Sequence, residues 1–235
     1  MILQNHYQTF TEAMHLNKKL MAVLIDPDDF NIESTATFLR KLPAETTHLF
    51  VGGSSVPNGR TEAVVKALKF STAKPIILFP GHVSQITDEA DGLLFLSLLS
   101  GRNPEYLIGQ HVQAVAKLRD TSLEVLPTGY LLIDGGTHSA VARVTQTEPM
   151  PQGAIQHIVD TAKAGELLGA QLLYLEAGSG ARHPVAPAII SAVKNEVAIP
   201  LLVGGGIRTE SQRNDAYSAG ADMVVMGTAF EETND

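Results

Sequence analysis

Tyr174 and Glu176 stand two residues apart in the segment YLEAGSGA, and Ala177, Gly178, Ser179 and Gly180 follow at once. In an extended strand, residues i and i+2 share a face, so both side chains point into one space. A carboxylate beside a bound phosphate feels like-charge repulsion, which raises its pKa and suits it to take a proton. The competing role for Glu176 is a structural ion pair. The loop from Ala177 to Gly180 predicts a run of free N–H groups, with Ser179 as a hydroxyl donor.

A second cluster lies downstream. LLVGGGIRT carries Gly204-Gly205-Gly206, and GADMVVMGTAF follows about twenty residues later with Gly227-Thr228. Backbone N–H groups at such turns bind phosphate when no Cβ holds the oxygens away. A helix-end dipole adds only about 0.3–1 kcal/mol for an exposed anion, so charge-assisted N–H bonds must supply most of the binding. The plainer role for these glycines is tight turning.

A third group carries carboxylates. LIDPDD ends an apolar run with Asp26, and VGGSS ends another with Ser54 nearby. Magnesium takes one or two carboxylates and completes its shell with substrate phosphates and water. Asp26 fits that role, with Ser54 as an oxygen ligand, whereas Asp28 and Asp29 suit helix capping. Ser100, Arg102 and Asn103 in LSGRNPEY offer an anion fork, although a surface role is equally open to Arg102. Asp134-Gly135-Gly136-Thr137 closes a further run in a form suited to close ligand approach. His82, His138 and His183 lack i, i+4 partners for a metal and read as solvated loop residues. No Walker A or GxGxxG motif stands between a strand and a helix, which argues against a nucleotide cofactor.

These residues need a scaffold that brings separate loops to one mouth. Eight apolar runs recur: 21–25, 48–51, 75–79, 92–96, 130–133, 172–176, 200–204 and 223–227. Each is continuous, as expected of strands buried on both faces. Between them lie helix-like stretches at 4–20, 32–42, 61–70, 104–119, 152–168, 184–196 and 209–219. Pro104 and Pro184 suit a first helical turn, and Gly169 and Gly220 suit the residue after a helix end. The pattern predicts an α/β fold, a (βα)8 TIM barrel, forming a single domain over 1–235. Loops after strands seven and eight of such barrels commonly bind phosphate.

Two units depart from the ideal. PGHVSQITDEAD between the third and fourth runs is too short for a full helix, so the helix after strand 3 is expected short or absent. The chain also runs only about eight residues past the eighth strand, and the N-terminal helix is a candidate to cover that gap. An uncovered wall would form a ligand channel or an oligomer contact.

Composition bounds the function. The 235 residues carry a formal net charge of −8, against broad nucleic-acid binding. Cysteine is absent, which excludes thiolate metal sites and a cysteine nucleophile. No secretion signal and no apolar stretch of roughly 20 residues is present, so a cytoplasmic location is expected.

In order along the chain, LIDPDD, VGGSS, ILFPG, LFLSLLSGRNPEYLIGQH, PTGYLLIDGGT, YLEAGSGA, VGGGIR and MGTAFE resemble the geranylgeranylglyceryl phosphate synthase family, whose bacterial relatives use other polyprenyl chains. The likeness covers about residues 22–231. It implies a magnesium-dependent prenyltransferase that joins sn-glycerol 1-phosphate to a polyprenyl diphosphate, geranylgeranyl being the expected chain. Asp26 and Ser54 would hold Mg²⁺. Tyr174, Leu175, Glu176, Ala177, Gly178, Ser179 and Gly180, with Gly205, Gly206, Gly227 and Thr228, would hold the glycerol phosphate. Glu176 would act as base, with Tyr174 beside it in the catalytic pair. The family also implies a barrel without its third helix, a homo-oligomer (dimer or hexamer), and peripheral membrane contact through the lipid substrate. This chain departs in having Leu24 where some members carry a lysine, and Gly227-Thr228 where Gly-Asn is frequent. Competing readings are a sugar-phosphate isomerase on the same barrel, and a non-catalytic barrel that binds a phosphate metabolite.

Overall fold

The computed structural model describes residues 5–54, 57–227 and 230. Eight parallel strands close in sequence order into a barrel. They are β1 (Leu20–Ile25), β2 (His48–Val51), β3 (Ile76–Leu78), β4 (Gly92–Leu98), β5 (Glu124–Leu132), β6 (Leu172–Glu176), β7 (Leu201–Gly204) and β8 (Met223–Met226). The helices are α1 (His6–His15), α2 (Thr35–Lys41), α3 (Arg60–Ser71), α4 (Gly109–Leu118), α5 (Ala140–Thr145), α6 (Ile155–Leu167), α7 (Pro187–Glu196) and α8 (Glu210–Ser218). The TIM-barrel expectation therefore holds.

Strand alternation divides the core in two. Leu20, Ala22, Phe50, Ile77, Leu94, Leu126, Tyr130, Tyr174, Leu202 and Val225 fill the barrel interior. Met21, Val23, Leu49, Ile76, Leu131, Leu173, Leu175 and Val203 pack outward with Val64, Leu68, Ile158, Ile189 and Val193 of the helices. This double burial explains why the runs read as continuously apolar.

The third unit is abbreviated as expected. A single 3-10 turn, Val83–Gln85, replaces the crossover helix between β3 and β4. The N-terminal helix does something other than expected. It is shorter than 4–20, and Phe10 and Ala13 join the interior cluster, so α1 plugs the N-terminal end of the barrel. The Glu124 carboxylate, at the start of β5, accepts hydrogen bonds from the His6 and Tyr7 N–H groups, the latter at 2.9 Å. Orphan donors at a helix start need such an acceptor. The proposed cover for the final helix is thus committed elsewhere.

Other boundaries moved for local reasons. Helix α7 begins at Pro187 rather than Pro184, because a proline holds the residue before it extended, and Ala186 has ψ 139°. Strand β5 starts at Glu124, where Glu124 and Pro127 conceal the apolar pattern. Helix α5 has no counterpart among the predicted helical stretches; Ser139 caps it by accepting from the Ala142 N–H at 3.1 Å. Gly169 and Gly220 take φ of +102° and +115° after α6 and α8, as their positions predict.

Candidate active site

Strand register places Glu176, the last residue of β6, beside Gly204, the last residue of β7. Glu176 is 5% exposed. Its Oε1 accepts a hydrogen bond from the Gly178 N–H at 2.6 Å. Burial pushes its pKa up to about 7, against smaller opposing effects of the Gly178 N–H and the Tyr174 hydroxyl. The floor beneath it is aromatic. Phe79 and Tyr130 stack on Tyr174 with ring centroids 5.1 and 5.5 Å away. These rings exclude water, so the carboxyl sits where its charge is costly and proton uptake is easy.

The Tyr174 hydroxyl is buried and has no well-formed hydrogen bond among the described residues. It nonetheless lies near Glu176 and lowers that carboxyl's pKa as a donor would, without forming a bond of full hydrogen-bond geometry. Both groups crowd Gly204. A Cβ built there would stand 2.2 Å from the Tyr174 hydroxyl and 3.1 Å from Glu176 Oε2. The tyrosine thus offers an unspent donor next to the carboxyl.

The loop after β6 holds fewer free donors than expected. The Ala177 N–H bonds the Gly204 carbonyl at 3.0 Å, and the Gly178 N–H is taken by Glu176. The N–H groups of Ser179, Gly180, Gly205 and Gly206 donate to no partner among the described residues. Gly205 and Gly206 take φ of +80° and +71°. Ser179, Gly205, Gly206 and Gly227 line one cavity with Tyr174 and Glu176. Leu175 and Ala177 do not present side chains to it; both pack in the outer cluster. Thr228 lies outside the described residues. Arg208, not among the site residues expected from the sequence, also lines this cavity, with its Nη1 donating to the Ala181 carbonyl at 2.8 Å. Its place directly after GGGI was the available signal.

Across the mouth, Asp26 continues the inward alternation of β1. Its Oδ1 accepts from the Asp28 N–H at 3.0 Å. Burial raises its pKa, and Asp29 and Asp28 raise it further. Among the described residues it forms no ion pair, so its charge is left without a counter-charge. Ser54 lines the same cavity. No cluster of three His, Asp or Glu side chains that would hold a metal exists among the described residues. One under-compensated carboxylate and one serine suit a magnesium ion whose shell a substrate diphosphate and water complete. They do not suit a metal caged by protein alone.

The cavity has a volume of about 350 Å³ and touches both faces of β4. Leu94, Leu96 and Leu98 meet it from inside the barrel, and Leu93 and Phe95 from outside. It therefore leaves the mouth over the rim and descends the wall that lacks a crossover helix, past Val83, Ile86 and Ala114. The uncovered wall is a channel.

Several polar candidates lie elsewhere. Arg102 Nη1 donates to the Leu99 and Gly101 carbonyls. Asn103 donates to the Thr145 carbonyl and accepts from the Glu105 N–H. The Ser100 hydroxyl accepts from the Leu132 N–H at 2.9 Å. These three fix the loop after β4, and none of them lines the cavity. His82 lines the cavity while capping the 3-10 turn. His111, not singled out from the sequence, lines it too, with Nε2 at 2.8 Å from the Leu96 carbonyl.

A buried carboxyl among glycine loops, at the C-terminal rim of a closed parallel barrel, defines a TIM-barrel enzyme of phosphorylated substrates. The PcrB family model matches residues 14–235, and the chain belongs to that family. Curated relatives include the geranylgeranylglyceryl phosphate synthase of Zunongwangia profunda. It is 57% identical over 220 residues, covering 94% of each chain. The enzyme of the same name from Flavobacterium johnsoniae is 49% identical, covering 98% of this chain and 95% of its own. Among solved structures, (S)-3-O-geranylgeranylglyceryl phosphate synthase from Thermoplasma acidophilum, in complex with sn-glycerol-1-phosphate, superposes with a TM-score of 0.90 at 32% identity. That match covers 98% of this chain and 93% of the other. An N-acetylmannosamine-6-phosphate 2-epimerase from Clostridium perfringens shares the fold alone, at TM-score 0.58 and 11% identity.

Proposed function

We propose that this chain is a prenyltransferase that joins the C3 hydroxyl of sn-glycerol 1-phosphate to C1 of a polyprenyl diphosphate, geranylgeranyl being the expected chain. One observation carries the reading. A single cavity contains Glu176 with its glycine loops, Asp26 with Ser54, and an apolar exit over β4. A sugar-phosphate isomerase has no use for that exit.

The acceptor phosphate meets the unspent N–H groups of Ser179, Gly180, Gly205 and Gly206, with Arg208 at the edge. The acceptor hydroxyl then faces Glu176. Its O–C1 bond forms as the C1–O bond to diphosphate breaks, and Glu176 takes the proton. Tyr174 orients the carboxyl or the hydroxyl with its free donor. The faces of Phe79, Tyr130 and Tyr174 favour the positive charge that develops on allylic carbon. Asp26 and Ser54 would hold Mg²⁺, which when bound neutralises the diphosphate and favours its departure.

The polyprenyl tail occupies the channel. Each buried CH₂ contributes about 0.8 kcal/mol, so one five-carbon unit is worth roughly 4 kcal/mol before ordering costs. Channel length therefore selects chain length. Ile108, Val112 and Val115 expose apolar surface along α4, 62%, 65% and 49% accessible, which a second copy would cover in the expected homo-oligomer. No helix among the described residues is long and apolar enough to cross a membrane. The lipid substrate would instead bring the protein to a membrane surface.

Incubation of the protein with labelled glycerol 1-phosphate and prenyl diphosphates of several lengths tests the reading. An ether product, with its chain length read by mass spectrometry, supports it; no product with any chain sinks it.

A further inference from the structure

Gln85 ends the 3-10 turn that stands where the third crossover helix would be, and its side chain is 2% exposed. Its amide exchanges two hydrogen bonds with one residue of another loop. Nε2 donates to the Gly53 carbonyl at 2.7 Å, and the Gly53 N–H donates to Oε1 at 3.3 Å. Strand β2 ends at Val51, so Gly53 lies beyond the reach of ladder bonds. The glutamine amide acts as a short piece of neighbouring strand for it.

That loop is packed from both sides. A Cβ on Gly53 would stand 2.5 Å from both oxygens of Asp26. A Cβ on Gly81 would stand 2.6 Å from the Gly53 carbonyl oxygen and 2.9 Å from Ser54 Cα. The peptide between Gly53 and Ser54 is thus wedged between the Asp26 carboxyl and the end of the β3 loop. Among the described residues, the Gln85 amide is the hydrogen-bond partner of the Gly53 backbone on both sides, whereas the contacts with Asp26 and Gly81 are steric.

We infer that Gln85 is a positioning residue for the diphosphate half of the site: it holds Gly53 and Ser54 in register with the Asp26 carboxyl. A crossover helix would have covered this loop; its replacement by one turn opens the channel and lets Gln85 take over the support. The inference rests on the prenyltransferase reading, since it assigns Asp26 and Ser54 to the donor.

Gln85→Glu keeps the shape but loses the Nε2 donor and faces the Gly53 carbonyl with an acceptor. Gln85→Ala loses both bonds. Calorimetric titration with inorganic diphosphate, with and without Mg²⁺, reads the donor half without turnover. The outer partners of a metal site typically change affinity roughly 10- to 100-fold when removed, and Gln85→Glu is expected to weaken Mg²⁺-dependent diphosphate binding by that factor. In the ether assay the KM for prenyl diphosphate should rise while that for glycerol 1-phosphate stays within about twofold, well below that range. Unchanged diphosphate binding in both variants overturns the inference. So does an equal rise in both KM values with a lowered Tm, which would make Gln85 a general packing residue. If the wild-type protein itself binds no diphosphate with Mg²⁺, the donor-site reading fails, and this inference falls with it.

Discussion

Gly205 lies directly against the Glu176 carboxyl: a Cβ on it would stand 2.3 Å from Oε1, and 2.6 Å from the Gly178 nitrogen that holds that oxygen. One residue thus serves two ends. It turns the chain with a φ of +80°, and it leaves the space in which the base and its N–H donor meet. Gly205→Ala is expected to fail on both counts. The left-handed conformation costs a residue with a Cβ about 1–2 kcal/mol, and the methyl must push the carboxyl aside. Turnover should drop more than the Tm would suggest, measured by the ether assay beside thermal unfolding.

Glu176→Gln removes the base but keeps the shape and an acceptor for the Gly178 N–H. General-base removal typically costs roughly 10²–10⁴-fold in rate. Glycerol 1-phosphate binding, measured by calorimetry, should stay within a few-fold of wild type. Unchanged turnover would remove Glu176 from the chemistry.

The same carboxyl sets a pH dependence. With a pKa of about 7, the free enzyme's kcat/KM should rise with pH on a limb centred near that value, and Glu176→Gln should flatten it. Stability should run the other way. The folded-state value lies above the ordinary carboxylate value of 4.5, so between the two the folded chain holds a proton that the unfolded chain has released. This contribution is full below the unfolded value and is lost as pH rises through about 7. Above that range, Glu176→Gln should therefore be the more stable protein, by on the order of 3 kcal/mol or less. Denaturant unfolding at pH 5 and pH 8 checks the sign; equal stability differences at both would contradict it.

Asp26→Asn should separate the two halves. Burial already disfavours its charge, and an amide oxygen still accepts from the Asp28 N–H. The Tm should not fall, whereas Mg²⁺-dependent diphosphate binding should. Glycerol 1-phosphate affinity should be retained. Loss of both ligands together would mean that Asp26 shapes the whole mouth.

Glu124→Ala addresses the opposite end of the barrel. It deprives the His6 and Tyr7 N–H groups of their acceptor and loosens the α1 plug. Hydrogen bonds to charged groups are worth about 1.5–3 kcal/mol, so the Tm should fall while kcat and both KM values hold. A kinetic change would show coupling between the plug and the mouth.

Residue order alone determined much here. Strands buried on both faces produce continuous apolar runs, so eight strands and the missing third helix were legible by counting. The rim glycines and the pairing of Tyr174 with Glu176 follow from period-2 alternation and Cβ sterics, both local properties. Tertiary structure decided what depends on distant segments meeting. Register between β6 and β7 set Glu176 beside Gly204, and burial at the barrel mouth raised its pKa. The fate of N–H groups also depended on packing: Ala177 and Gly178 spend theirs on Gly204 and Glu176, which no motif announces. Ser100, Arg102 and Asn103 read as an anion fork in sequence, but they bond the carbonyls of Leu99, Gly101 and Thr145 and the amides of Leu132 and Glu105, and none of them lines the cavity. Gln85, thirty-two residues from Gly53 in the chain, reads as an ordinary polar loop residue until the barrel closes. Short-range rules thus revealed which groups the site would contain. Long-range packing decided which of them remain free to act.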